Sequence, residues 1–105
     1  MQISTPARAM LECLSLCPDG FPLVEGYELM EGLATLRPGS VQELLESCKS
    51  IKTKRLFLYF AQRAGHSWFK HIDTSRIELG NGNRSLVKGG VLVPKYKLVL
   101  PEELA

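Results

Sequence analysis

Thr53-Lys54-Arg55-Leu56-Phe57-Leu58-Tyr59-Phe60-Ala61-Gln62-Arg63-Ala64-Gly65 is the stretch where this chain is most apolar and after which its pattern changes. Leu56, Phe57, Phe60, Ala61 and Ala64 recur at helical spacing and form one broad face. Leu58 lies outside that stripe, which predicts a helix buried on more than one side. Gly65 suits the C-terminal stop. The other line of the helix is Arg55, Tyr59, Gln62 and His66. Beyond it, Gly80-Asn81-Gly82-Asn83 and Gly89-Gly90 carry turn chemistry, and short β-prone runs appear at 86–87, 91–93 and 97–100. Pro94 predicts an edge or an interruption there.

Upstream the chain reads as further helices. Thr5-Pro6 is a start signal, with a capping hydroxyl and proline at the first helical position. Met10, Cys13, Leu14 and Cys17 then recur on one helical face, and Pro18-Asp19-Gly20 ends it. Residues 25–36 read as a second helix with Tyr27, Met30, Leu33 and Ala34 inward, although Gly26 and Gly32 weaken it. Ser40 with Glu43 forms a capping-box pattern. The helix that follows carries Val41, Leu44, Leu45, Cys48 and Ile51 inward. The expected fold class is α+β: an N-terminal layer of about four helices followed by a small antiparallel β-sheet, in one domain over residues 1–105.

Composition sets wide limits. A 45% hydrophobic, 23% charged chain of 105 residues is ordinary for a globular domain. No apolar run approaches a membrane span, and no secretory leader pattern opens the sequence. Three cysteines without framework spacing suggest reduced thiols and a cytoplasmic setting. Charge is divided unevenly. Residues 1–48 hold two basic and seven acidic side chains, whereas residues 49–105 hold eleven basic and four acidic. A cationic half of this kind can meet a polyanion, an acidic protein or a nucleotide.

Catalytic signals are sparse. Cys13 and Cys17 stand one turn apart and His66 and His71 five residues apart, but no paired CxxC accompanies them, so no metal is expected. Trp68-Phe69 reads as core. The glutamates of 25–31 and 43–46 suit a solvated helix face. Gly80-Asn81-Gly82-Asn83-Arg84-Ser85 resembles a phosphate cradle only superficially, since it lacks the Walker Gly-Lys-Ser/Thr ending and a following helix. No enzyme and no cofactor are expected.

The basic half supports two readings. Arg55, Tyr59, Gln62 and His66 combine charge, a stacking ring and hydrogen-bonding groups, which suits phosphate and base contact. With Lys52, Arg63, Arg84, Ser85 and Lys88 they make up the expected contact surface. Alternatively, Arg55 pairs with a glutamate of the acidic half and the domain closes on itself.

Several segments, taken together, resemble one family. They are Ser4-Thr5-Pro6-Ala7-Arg8-Ala9-Met10-Leu11, Glu43-Leu44-Leu45, Lys54-Arg55-Leu56-Phe57-Leu58 and Gly65-His66-Ser67-Trp68. Ile77-Glu78-Leu79-Gly80 and Arg84-Ser85-Leu86-Val87-Lys88-Gly89-Gly90 complete the set. In this order they resemble AbiEi-type antitoxins of type IV toxin–antitoxin systems, over nearly the whole chain. The resemblance implies the C-terminal antitoxin domain, normally preceded by a winged-helix DNA-binding domain that represses its own operon. No segment of these residues reads as that winged helix. It also implies a nucleotidyltransferase-like toxin as functional partner, countered without need of a stable complex, with RNA or DNA as an alternative partner of the basic half and no membrane. Arg8, Arg55, Trp68, Arg84, Ser85 and Lys88 are the positions carried over, none with a catalytic role. Arg8 is expected to pair with a carboxylate in the helical core.

Overall fold

A computed structural model of the chain describes residues 6–17, 20, 22–33, 36–80, 82, 84–85 and 90–104. Four α-helices come first: α1 (Pro6–Leu16), α2 (Leu23–Glu31), α3 (Pro38–Ser47) and α4 (Ile51–Ala64). Two short 3₁₀ turns follow, Ser67–His71 and Thr74–Arg76. Three short strands then form a sheet: β1 (Arg84–Ser85), β2 (Val91–Val93) and β3 (Leu98–Leu100). A last 3₁₀ turn spans Glu102–Leu104.

α4 is the centre of the molecule. Thr53 through Leu58 are all buried, as are Phe60 and Ala61. A buried run longer than one 3.6-residue turn means that neighbours cover the helix on every side. Its Leu56, Phe57 and Phe60 join Met10 and Leu14 of α1, Met30 of α2 and Val41 and Leu45 of α3 in one cluster. The Tyr27 ring meets Phe60 edge-on at 5.4 Å, and Trp68 lies 6.0 Å from Phe57. Trp68 is therefore core, as its sequence position suggested.

Helix ends follow the local chemistry, with corrections. α4 begins two residues before the expected start, because Ser50 caps it by accepting the Thr53 amide at 3.3 Å. Gly65, at φ 76°, closes it as anticipated. α3 starts earlier too. Pro38 takes the first helical position and Arg37 the cap, so Ser40 lies inside the helix and the capping box does not form. α2 runs over Leu23–Glu31 rather than 25–36, and Gly32 caps it. The expected cap at Thr5, the stop at Pro18-Asp19, the inward Ala34 and the strand at 86–87 lie outside the described residues.

The sheet order is β1-β3-β2. β2 and β3 pair antiparallel, with Val91 opposite Leu100 and Val93 opposite Leu98, and β1 adds a two-residue parallel pairing on the other side of β3. Leu98 and Leu100 point into the core, while Val91 and Leu92 on the edge strand face outward. Pro94 opens the turn that ends β2, the interruption anticipated for it. No described helix is long and apolar enough to cross a membrane.

Candidate functional site

The polar line of α4 faces the C-terminal third of the chain. Arg55 is only 1% exposed. Its Nε donates to the Leu79 carbonyl at 2.8 Å, and its Nη1 donates to the Gly82 carbonyl at 2.9 Å and to that of Lys97 at 3.4 Å. One turn on, Tyr59 Oη donates to the Leu104 carbonyl at 2.6 Å. The next member, Gln62, accepts from Tyr96 Oη through its Oε1 at 2.8 Å. These bonds fasten Leu79, Gly82, the β2–β3 turn and the last 3₁₀ turn to one helix. The anticipated pairing of Arg55 with a first-half glutamate takes a different form: the described acceptors are main-chain carbonyls.

Other members of the expected contact surface bind helix ends. Lys52 Nζ donates to the Ser15 and Cys17 carbonyls at the C-terminus of α1. His66 Nε2 donates to the Met30 carbonyl at 2.6 Å, and Trp68 Nε1 donates to that of Leu33 at 2.7 Å. The carbonyls at a helix C-terminus lack intrahelical donors and carry the negative end of the helix dipole. A lysine and an imidazole reach them at the ends of α1 and α2, and the indole N–H binds the Leu33 carbonyl just beyond α2. Because a carbonyl only accepts, His66 carries its proton on Nε2. Its ring also stacks on Trp68 at 5.4 Å.

Six of the nine expected contact residues (Lys52, Arg55, Tyr59, Gln62, Arg63 and His66) thus make described bonds within the chain. Arg55 is withdrawn from the exterior altogether. Arg63 stays outside, with its guanidinium 5.5 Å from the centre of the Tyr27 ring and Nη1 3.3 Å from Tyr59 Oη. Arg84 and Ser85 enter β1, but their side chains, and all of Lys88, lie outside the described residues. The complementary halves do touch elsewhere. Glu46 of α3 and Arg76 approach to 3.7 Å, and Gln42 grips the main chain of Asp73 through both ends of its amide, at 2.8 and 3.0 Å. Arg8 meets Glu12 at 3.9 Å on the surface of α1, one turn away rather than in the helical core.

Open features also lie among the described residues. A groove of about 410 Å³ lies between α1, α3 and the start of α4, with Arg8, Glu12, Leu44, Cys48 and Lys49 among its walls. A smaller cleft of about 90 Å³ opens beside Arg55. Lys95 and Lys97, which border that cleft, were missed as site candidates. Their only sequence signal is their position on either side of Tyr96 in a short turn.

Burial shifts the titration of two described groups, Cys17 and Tyr96. Burial pushes the Cys17 thiol up, an effect that Lys52 opposes and Cys13 reinforces. Burial also pushes the Tyr96 phenol up to about 12. The described cysteines are free thiols. No cluster of three histidine, cysteine or acidic residues able to hold a metal occurs among the described residues.

Comparison with known proteins returns one family. The model described as "Transcriptional regulator, AbiEi antitoxin, Type IV TA system" matches residues 1–101, nearly the whole chain. No curated protein and no solved structure matches the chain significantly.

Proposed function

This chain belongs to the AbiEi antitoxin family of type IV toxin–antitoxin systems, and from that premise we propose that it counteracts a nucleotidyltransferase-like toxin. The family match over residues 1–101 carries this reading. The fold accords with it. The described polar residues of α4 and its flank tie the helix to the strand region and to the ends of α1 and α2, which suits a protein that acts by binding or regulation. The same reading places the protein in the cytoplasm with its toxin.

Among the described residues, Gln62 and Arg63 are the exposed members of the expected contact surface. They are the described part of the surface assigned to partner contact, with Arg84, Ser85 and Lys88 assigned to it by the family resemblance. Arg55, Tyr59 and His66 serve that surface indirectly, by holding the helix and the strand region together.

Co-expression of the full chain with its paired toxin tests the proposal. Growth is expected to recover, and recovery is expected to weaken when Arg63 is changed to Glu. A well-expressed, folded chain that leaves the toxin unopposed would overturn the assignment.

A further inference from the structure

The helices α1 and α2 run antiparallel. Gly26 lies beside Leu14 and Cys17, and at the other end a furrow of about 180 Å³ is walled by Ala9, Met10, Cys13, Leu29 and Leu33. We infer that this furrow is the docking site for a cationic amphipathic helix of a partner protein.

The walls are apolar and open to the outside. Ala9, Cys13 and Leu16 follow one line of α1 at i, i+4 and i+7, and across the furrow Leu29 and Leu33 follow one line of α2 and its end. Leu16 is 56% exposed and Leu29 48%, in a chain whose core otherwise takes its leucines in. Large apolar side chains grouped at the surface of a small domain mark an interaction face.

The shape selects a helix. A furrow between two antiparallel helices receives a third, whose side chains at i, i+3, i+4 and i+7 enter it. The line from Ala9 to Leu16 rises about 10 Å at 1.5 Å per residue, which matches two turns of an occupant.

Charge selects a cationic one. Glu12 stands on the rim, three residues after Ala9 and four before Leu16, while Glu25 lies one turn before Leu29 and Glu28 directly precedes it. All three are exposed. Arg8 offsets part of the charge of Glu12 from 3.9 Å, but Glu25 and Glu28 stand in neither of the ion pairs found among the described residues. A helix with lysine or arginine flanking its apolar stripe complements this rim. A second copy packed symmetrically through the same face would set these glutamates against their own counterparts, and an anionic lipid surface would be repelled.

The inference stands apart from the antitoxin assignment, because peptide binding reads it and growth does not. The ¹⁵N-labelled full chain would be titrated with a synthetic helical peptide of leucine and lysine, its leucines at i, i+3, i+4 and i+7. The control is the same peptide with glutamate in place of lysine. Saturable shifts are expected at the Ala9, Cys13, Leu29 and Leu33 amides with the lysine peptide, and binding about tenfold weaker with the glutamate peptide. Leu29→Gln is expected to weaken the lysine peptide about tenfold as well. Leu29 is exposed, and the dispersed amide spectrum reports that the variant is folded. The double variant Glu25→Lys, Glu28→Lys is expected to reverse the preference between the two peptides. Shifts absent at these amides, or unchanged affinity in the folded Leu29→Gln chain, would overturn the site. Self-association of the wild-type chain in sedimentation, abolished by Leu29→Gln, would overturn it in favour of a second copy.

Discussion

The two sides of α4 are built on different principles. Toward α1 and α2 it presents Leu56, Phe57 and Phe60, which pack into a dense apolar cluster. Toward the strand region it presents Arg55, Tyr59 and Gln62, which reach it through directed hydrogen bonds. Apolar burial is non-directional and scales with area, so many residues share the load. A hydrogen bond to a buried carbonyl depends on one donor at one place, and its loss leaves that acceptor unsatisfied. The helical layer therefore tolerates rearrangement but not loss of volume. The strand region, which buries Leu98 and Leu100 in the same cluster, depends in addition on single donors.

The largest effect is expected on the apolar side. Phe60→Ala removes a ring with no solvent exposure that Tyr27 meets edge-on. It should cost about 3–5 kcal/mol, seen as a lower denaturation midpoint at unchanged slope. Loss of stability confined to residues 79–104 would break the comparison.

Arg55→Met should act locally instead. It deletes the described donors to the Leu79, Gly82 and Lys97 carbonyls while keeping an apolar stem. The cost is about 2–3 kcal/mol. Hydrogen exchange should quicken at residues 79–82 and 96–100 well before it changes in α1 and α2. Uniform acceleration across the chain would show that the two sides are one cooperative unit.

Tyr96→Phe sharpens the contrast with the smallest effect, about 1 kcal/mol at neutral pH, from the lost bond to Gln62. Its signature is pH dependence. Burial raises the phenol from 10.0 to about 12, so the folded state favours the neutral form. The stability this contributes is complete below pH 10 and is lost as pH rises toward about 12. The wild-type chain should lose stability in that window more steeply than Tyr96→Phe. Equal slopes would mean that the phenol is not held neutral by the fold.

Much of the helical layer was legible because its signals are local. The spacing of Met10, Leu14 and Cys17, the apolar face of α4 and the stop at Gly65 each depend on neighbours within a few residues. Where two local signals competed, the reading slipped. Pro38 prevailed over the Ser40–Glu43 pattern because proline's missing N–H fits the first helical position. The contact line was harder. Arg55, Tyr59 and Gln62 of α4 reach the C-terminal third of the chain, whereas His66 lies beyond the helix and bonds to the end of α2. The partners of Arg55, Tyr59 and His66 are main-chain carbonyls, which every residue possesses and which no residue type marks. The cleft bordered by Lys95 and Lys97 stayed hidden for the same reason.

Local pattern therefore accounts for the order of helices and strands, the apolar cluster and the family to which the chain belongs. Long-range folding settled the fate of the charges. It brought the carbonyls at 79, 82 and 97 to a guanidinium 24 to 42 residues earlier in the chain. A cation serves the interior or the exterior according to which acceptors come within about 3 Å of it, and that proximity is a property of the packed molecule.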